Sequence, residues 1–173
     1  MSTNRRIWIS LTAAALLLAA IPAGAEDAKF SAKLTGAAHL PEPIDTRAKG
    51  DLELVVSPDG KRISYKLTVN DIRNPAAADL HLGSEVANGP VVAKLFPTNG
   101  AAPKRGEFSG VLVQGTLDAA DLIGPFAGAT IEDLVLEMRD GNAYVNVHTN
   151  DGEDPPDSGP GDYRLGEIRG QIR

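Results

Sequence analysis

A period-two alternation of apolar and polar residues recurs along this chain, and it constrains the fold more than any other feature. Residues 51–56 read Asp-Leu-Glu-Leu-Val-Val and turn Leu52, Leu54 and Val56 to one face. Ser57-Pro58-Asp59-Gly60 follows, with proline second and glycine fourth, as a tight turn requires. Residues 62–69 alternate again and bring Ile63, Tyr65, Leu67 and Val69 to the same side. Two alternating runs about such a turn make a β-hairpin.

Shorter runs of the same kind cover Phe30-Ser31-Ala32-Lys33-Leu34, residues 78–83, 91–96 and 108–117, and the closing residues 168–172. Residues 70–77, with Asn74-Pro75 inside, read as a connection. Gly110 and Gly115 mark a bulge or a close backbone approach within their run. The period changes at 130–138, where Ile131, Leu134, Val135 and Met138 fall at helical spacing behind a Thr130 N-cap with Asp133 three residues on. Residues 118–123 read as a single helical turn before Gly124-Pro125. About seven to eight short strands with one or two short helices make an all-β fold, a Greek-key β-sandwich or barrel.

The amino terminus carries an address. Arg5 and Arg6 precede an apolar run over residues 7–21, and Ala23-Gly24-Ala25 supplies a small-x-small cleavage pattern. Residues 1–25 are therefore expected to be a secretory signal peptide, and 26–173 a single β domain exported to the periplasm or the medium. The apolar run is shorter than the ~20 residues a spanning helix needs, so no membrane span is expected after cleavage. The absence of cysteine removes disulfides, thiolate ligands and thiol nucleophiles together, and the domain must be held by its own core. A net charge of −6 with scattered Lys and Arg offers no electrostatic footprint for nucleic acid.

Residues 142–149 pair naturally with 166–172. Ala143, Val145 and Val147 form a core face, which leaves Tyr144, Asn146 and His148 in a polar row opposite. That row is more than a solvated strand face requires. It reads as a structural network or a binding face, with Arg169 beside it able to orient an anion. Glu167 and Arg169 share a strand face and are expected to form cross-strand ion pairs, a structural role. The three histidines, His39, His81 and His148, could meet with Asp79 in a copper or zinc site, since neutral imidazole suits both ions. The opposing reading is that His81 and His148 bond to backbone or to Asn146 and fix strand register. No Gly-x-Ser-x-Gly elbow is present, no carboxylate pair lies in an aromatic setting, and the acidic loop 151–162 lacks calcium-loop spacing. No catalytic residue is assigned.

Several segments, in order, resemble the chordin-type (CHRD) domain: Phe30-x-Ala32-x-Leu34-x-Gly36, Leu40-Pro41-x-Pro43, Gly50, and Ala78-x-Leu80-His81-x-Gly83 through Asn88-Gly89-Pro90-Val91-Val92. The last and most specific are Tyr144-Val145-Asn146-Val147-His148-Thr149 and Gly166-Glu167-Ile168-Arg169-Gly170-Gln171-Ile172. Where the family pattern often has His-x-His, this chain has Asp79-Leu80-His81. The resemblance implies an all-β fold, a module of extracellular growth-factor antagonists in animals, and an exported domain in bacteria. The expected function is an exported, non-enzymatic binding module for a protein or cell-surface partner. The alternative is a copper- or zinc-binding periplasmic protein, Asp79-x-His81 being similar by analogy to the His-x-His strand of copper/zinc superoxide dismutases.

Overall fold

The computed structural model of the chain describes residues 28–97 and 103–173, so the expected signal peptide lies outside the described residues. Eight strands build the fold: β1 (Lys29–Thr35), β2 (Lys49–Val56), β3 (Ile63–Arg73), β4 (Pro75–Leu82), β5 (Val91–Phe96), β6 (Glu107–Leu117), β7 (Ala143–Thr149) and β8 (Ile168–Gln171). They form one antiparallel sheet in the order β5-β4-β7-β8-β1-β2-β3-β6, curled into a nearly closed barrel. Its middle is the β8–β1 seam, where Thr35 pairs with Arg169 and Ser31 exchanges backbone bonds with Arg173. Across the opposite gap, the buried Tyr65 hydroxyl on β3 donates to the Leu95 carbonyl on β5 at 3.3 Å.

The hairpin forms as its alternation dictates. Leu52 pairs with Leu67 and Leu54 with Tyr65, and all four are buried. Tyr65 also pairs with Gly115 on β6, where a Cβ would stand 2.7 Å from the phenol oxygen. Glycine is there because the ring needs that space.

One helix, α1 (Ile131–Arg139), follows β6 and buries Ile131, Leu134, Val135 and Met138. Its start is a capping box: the Asp133 amide donates to the Thr130 hydroxyl oxygen at 3.2 Å, and the Asp133 carboxylate accepts from the Thr130 amide at 2.8 Å. Residues 119–121 make the single turn expected there, in 3-10 form. No helix among the described residues is long and apolar enough to cross a membrane.

The expected connection over 70–77 is corrected. β3 runs to Arg73 and β4 starts at Pro75, leaving Asn74 alone between them. Asn74 takes φ 48°, a conformation that asparagine tolerates better than most residues. Its side chain holds the corner from both ends, accepting from the Gly106 amide at 2.8 Å and donating to the Gly161 carbonyl at 3.1 Å. Proline is tolerated as the first residue of a strand. This corner sends β4 to the far half of the sheet, beside β7, and so places the polar row.

Candidate functional site

Register brings the site together. On β4, Asp79 lies opposite Asn146 of β7, which lies opposite Arg169 of β8. One step along, His81 lies opposite Tyr144, which lies opposite Gln171. Period-two geometry therefore gathers Asp79, His81, Tyr144, Asn146, His148, Arg169 and Gln171 on the outward face, while Leu80, Val145 and Val147 fill the core.

That outward face is covered. Tyr144, Asn146 and Arg169 are 2%, 6% and 2% exposed, because the loops 83–90 and 150–167 lie across them. The Arg169 guanidinium stacks on the Tyr144 ring at 3.9 Å and donates to the Ser84 carbonyl at 2.7 Å. Burial draws the Arg169 pKa below its ordinary value, against the favourable pull of Tyr144. The Gln171 amide donates to the carbonyl of Gly83 at 2.9 Å, and the Tyr144 hydroxyl donates to that of Gly89 at 3.4 Å. Asn146 donates to the Leu165 carbonyl at 3.0 Å, and the adjoining Gly166 sits at φ 125° with its Cα turned on the Asn146 amide, where no side chain fits.

The two histidines of this face are oriented in the same way. His81 Nδ1 lies 3.0 Å from the Gly89 carbonyl, and His148 Nδ1 lies 3.0 Å from the Arg164 carbonyl. A carbonyl only accepts, so each Nδ1 carries a hydrogen, and in the neutral ring each Nε2 then presents its lone pair. Both Nε2 atoms are buried and lack a hydrogen-bond partner. His148 Nε2 faces Asp79 Oδ2 at 3.4 Å, longer than the ~2.7–2.9 Å of a charge-assisted hydrogen bond. The rings of His81 and His148 stand 6.3 Å apart between centroids, and His81 stacks on Tyr144 at 4.7 Å. Burial pushes the His81 pKa below its usual range. The Gly89 carbonyl and the Asp79 carboxylate oppose that shift, and His148 and Arg169 add to it. One donor atom from each of Asp79, His81 and His148 lies within 4.8 Å of the others.

His39 does not join them. It sits at the end of a 3-10 turn over residues 36–38, with Nδ1 at 2.9 Å from the Glu42 carbonyl. The cross-strand ion pairs expected of Glu167 and Arg169 are also corrected. Glu167 is 1% exposed and accepts from Thr46 Oγ1 at 2.6 Å, Thr149 Oγ1 at 2.7 Å and the Gly161 amide at 2.8 Å. Three neutral donors satisfy this carboxylate, and the arginine is taken up by loop carbonyls instead. Sequence reasoning missed Gln171 and Thr46, whose roles depend on which backbone groups the loops present.

No curated protein matches this chain. A family model, the CHRD domain, matches residues 30–155, a span that runs from β1 through β7 and takes in Asp79, His81 and His148. With that match spread over most of the chain, including β4 and β7 of the polar face, the protein belongs to the CHRD-domain family.

Proposed function

We propose that the protein is an exported, non-enzymatic CHRD module that docks a protein partner through the loops over its β4-β7-β8 face. One observation carries this reading. The apolar side chains of Val86 and Leu165, 85% and 78% exposed, project from loops whose backbones are tied down from beneath. Arg169 and Gln171 hold the carbonyls of Ser84 and Gly83, on the way to Val86, and Asn146 holds the carbonyl of Leu165 itself. A loop ordered in advance loses less entropy on docking, and solvent-facing apolar tips supply the contact. The leader-like sequence pattern of residues 1–25 supports export.

Cross-linking in the native envelope or medium tests it, with wild type compared to Val86→Asp and Leu165→Asp. The expected result is a discrete cross-linked product with wild type that both variants lose, while their thermal melts stay within a few degrees of wild type. The same product at equal yield in both variants would contradict a loop-docking module.

A further inference from the structure

A second site lies beneath those loops, and it does not depend on the docking reading. We propose that Asp79, His81 and His148 form a mononuclear site for a divalent ion of the zinc and copper type, with one coordination position left open.

The donor set is built as such sites are built. Each imidazole has its Nδ1–H anchored on a backbone carbonyl, Gly89 for His81 and Arg164 for His148, which fixes the tautomer and aims Nε2. The two Nε2 lone pairs are buried with nothing to accept. A buried imidazole nitrogen left in this state costs free energy in the empty protein, and an ion would relieve it. Spacing agrees with this. Two donors on a tetrahedral ion with ~2.0–2.1 Å bonds stand about 3.3–3.4 Å apart. His148 Nε2 and Asp79 Oδ2 are already at 3.4 Å, and the whole triad spans no more than 4.8 Å. Closing the triad requires the remaining donor separations, none above 4.8 Å, to shorten to about 3.3–3.4 Å. Two imidazoles and one carboxylate suit zinc or copper and disfavour magnesium or calcium, which take oxygen ligands.

The site is also reachable. Asp79 and His148 line an open depression of about 350 Å³ together with Ala76, Ala77, Asn150 and Arg164. An ion can enter there, and its open position would face the depression, where water or an outside donor completes the shell. The Asp-x-His pattern on β4 takes the first and third of three successive positions, so both side chains share the outward face and His148 joins them from the next strand.

Equilibrium dialysis of the metal-stripped protein against zinc(II) and copper(II) tests the site, paired with imidazole nitrogen NMR of the zinc form and EPR of the copper form. The expected result is about one equivalent bound, zinc-induced shifts at Nε2 of His81 and His148 with none at His39, and a copper signal showing two nitrogen donors. His148→Gln and His81→Gln should weaken binding beyond the ~10–100-fold typical of losing an outer-shell partner, and His39→Ala should leave it unchanged. Less than a tenth of an equivalent bound, or a zinc shift at His39, or undiminished binding in the double His81→Gln/His148→Gln variant, would overturn the site. Should a variant fail to fold, the wild-type nitrogen shifts decide alone. Absence of metal binding, with the cross-linked product still lost in Val86→Asp and Leu165→Asp, would leave the loop-docking reading intact, and metal binding with no such product would leave the metal site intact.

Discussion

The two halves of the sheet solve burial differently. In β1-β2-β3-β6 each strand has one dry face and one wet face: Leu52 and Leu54 are buried on β2 while Glu53 is exposed, and on β3 Lys66 is exposed between buried Tyr65 and Leu67. Charges on that wet face pair in solvent, Lys33 with Asp51 and Lys66 with Glu53. In β4-β7-β8 both faces are covered. β7 buries every residue from Ala143 to Thr149 except the half-buried His148, and β8 buries Ile168, Arg169 and Gly170. Polar groups on the first half can be satisfied by water, whereas those on the second must be satisfied by protein. The same residue types therefore carry different weight in the two halves.

Glu167→Ala should break this comparison most visibly. It strands the Thr46 and Thr149 hydroxyls and the Gly161 amide, and a loss of about 3 kcal/mol or more is expected in urea unfolding. Gly166→Ala should follow, at about 2 kcal/mol, because a Cβ at φ 125° collides with the Asn146 amide and lifts the loop over β7.

A calibration point outside both strand faces is the α1 cap, where Thr130→Ala should cost about 1 kcal/mol. The cap also has a pH signature. Hydrogen bonds from the Thr130 amide and then the Thr130 hydroxyl hold the Asp133 pKa below its ordinary value. A carboxylate with a lowered folded pKa stabilises above its unfolded value and loses that contribution as pH falls through the folded one. The advantage of wild type over Asp133→Asn should therefore be complete at neutral pH and shrink below about pH 4 in a series of melts. Smallest of all, Glu53→Ala on the wet half should change stability by no more than about 0.5 kcal/mol, since its pair with Lys66 is solvent-exposed. A loss at Glu53 as large as that at Glu167 would abolish the distinction between the halves.

Legibility in the sequence follows the same divide. The hairpin of β2 and β3, the α1 stripe with its Thr130 cap, and the β7–β8 pairing were readable because local period and local chemistry decide them. Asp79, His81 and His148 were nameable as residue types, but only the β4–β7 register brings them together, and nothing local excluded His39. The single-residue corner at Asn74 was hidden because its support comes from Gly106 and Gly161, both distant in sequence. Alternation in 142–149 implied an outward polar row richer than a solvated face requires, without showing what covers it. Its burial comes from loops 83–90 and 150–167, whose polar and glycine-rich composition gives no hint that they fold back onto a sheet.

The arrangement of the covered half can be measured directly in the metal-free protein. Long-range proton–nitrogen NMR of the histidine side chains at neutral pH reads which ring nitrogen carries hydrogen. With Nδ1 of His81 held on Gly89 and Nδ1 of His148 held on Arg164, both rings should show a protonated Nδ1 and a bare Nε2. A bare Nδ1 at either ring would mean that its loop is not anchored as described, and would contradict the polar row as the element that fixes this face.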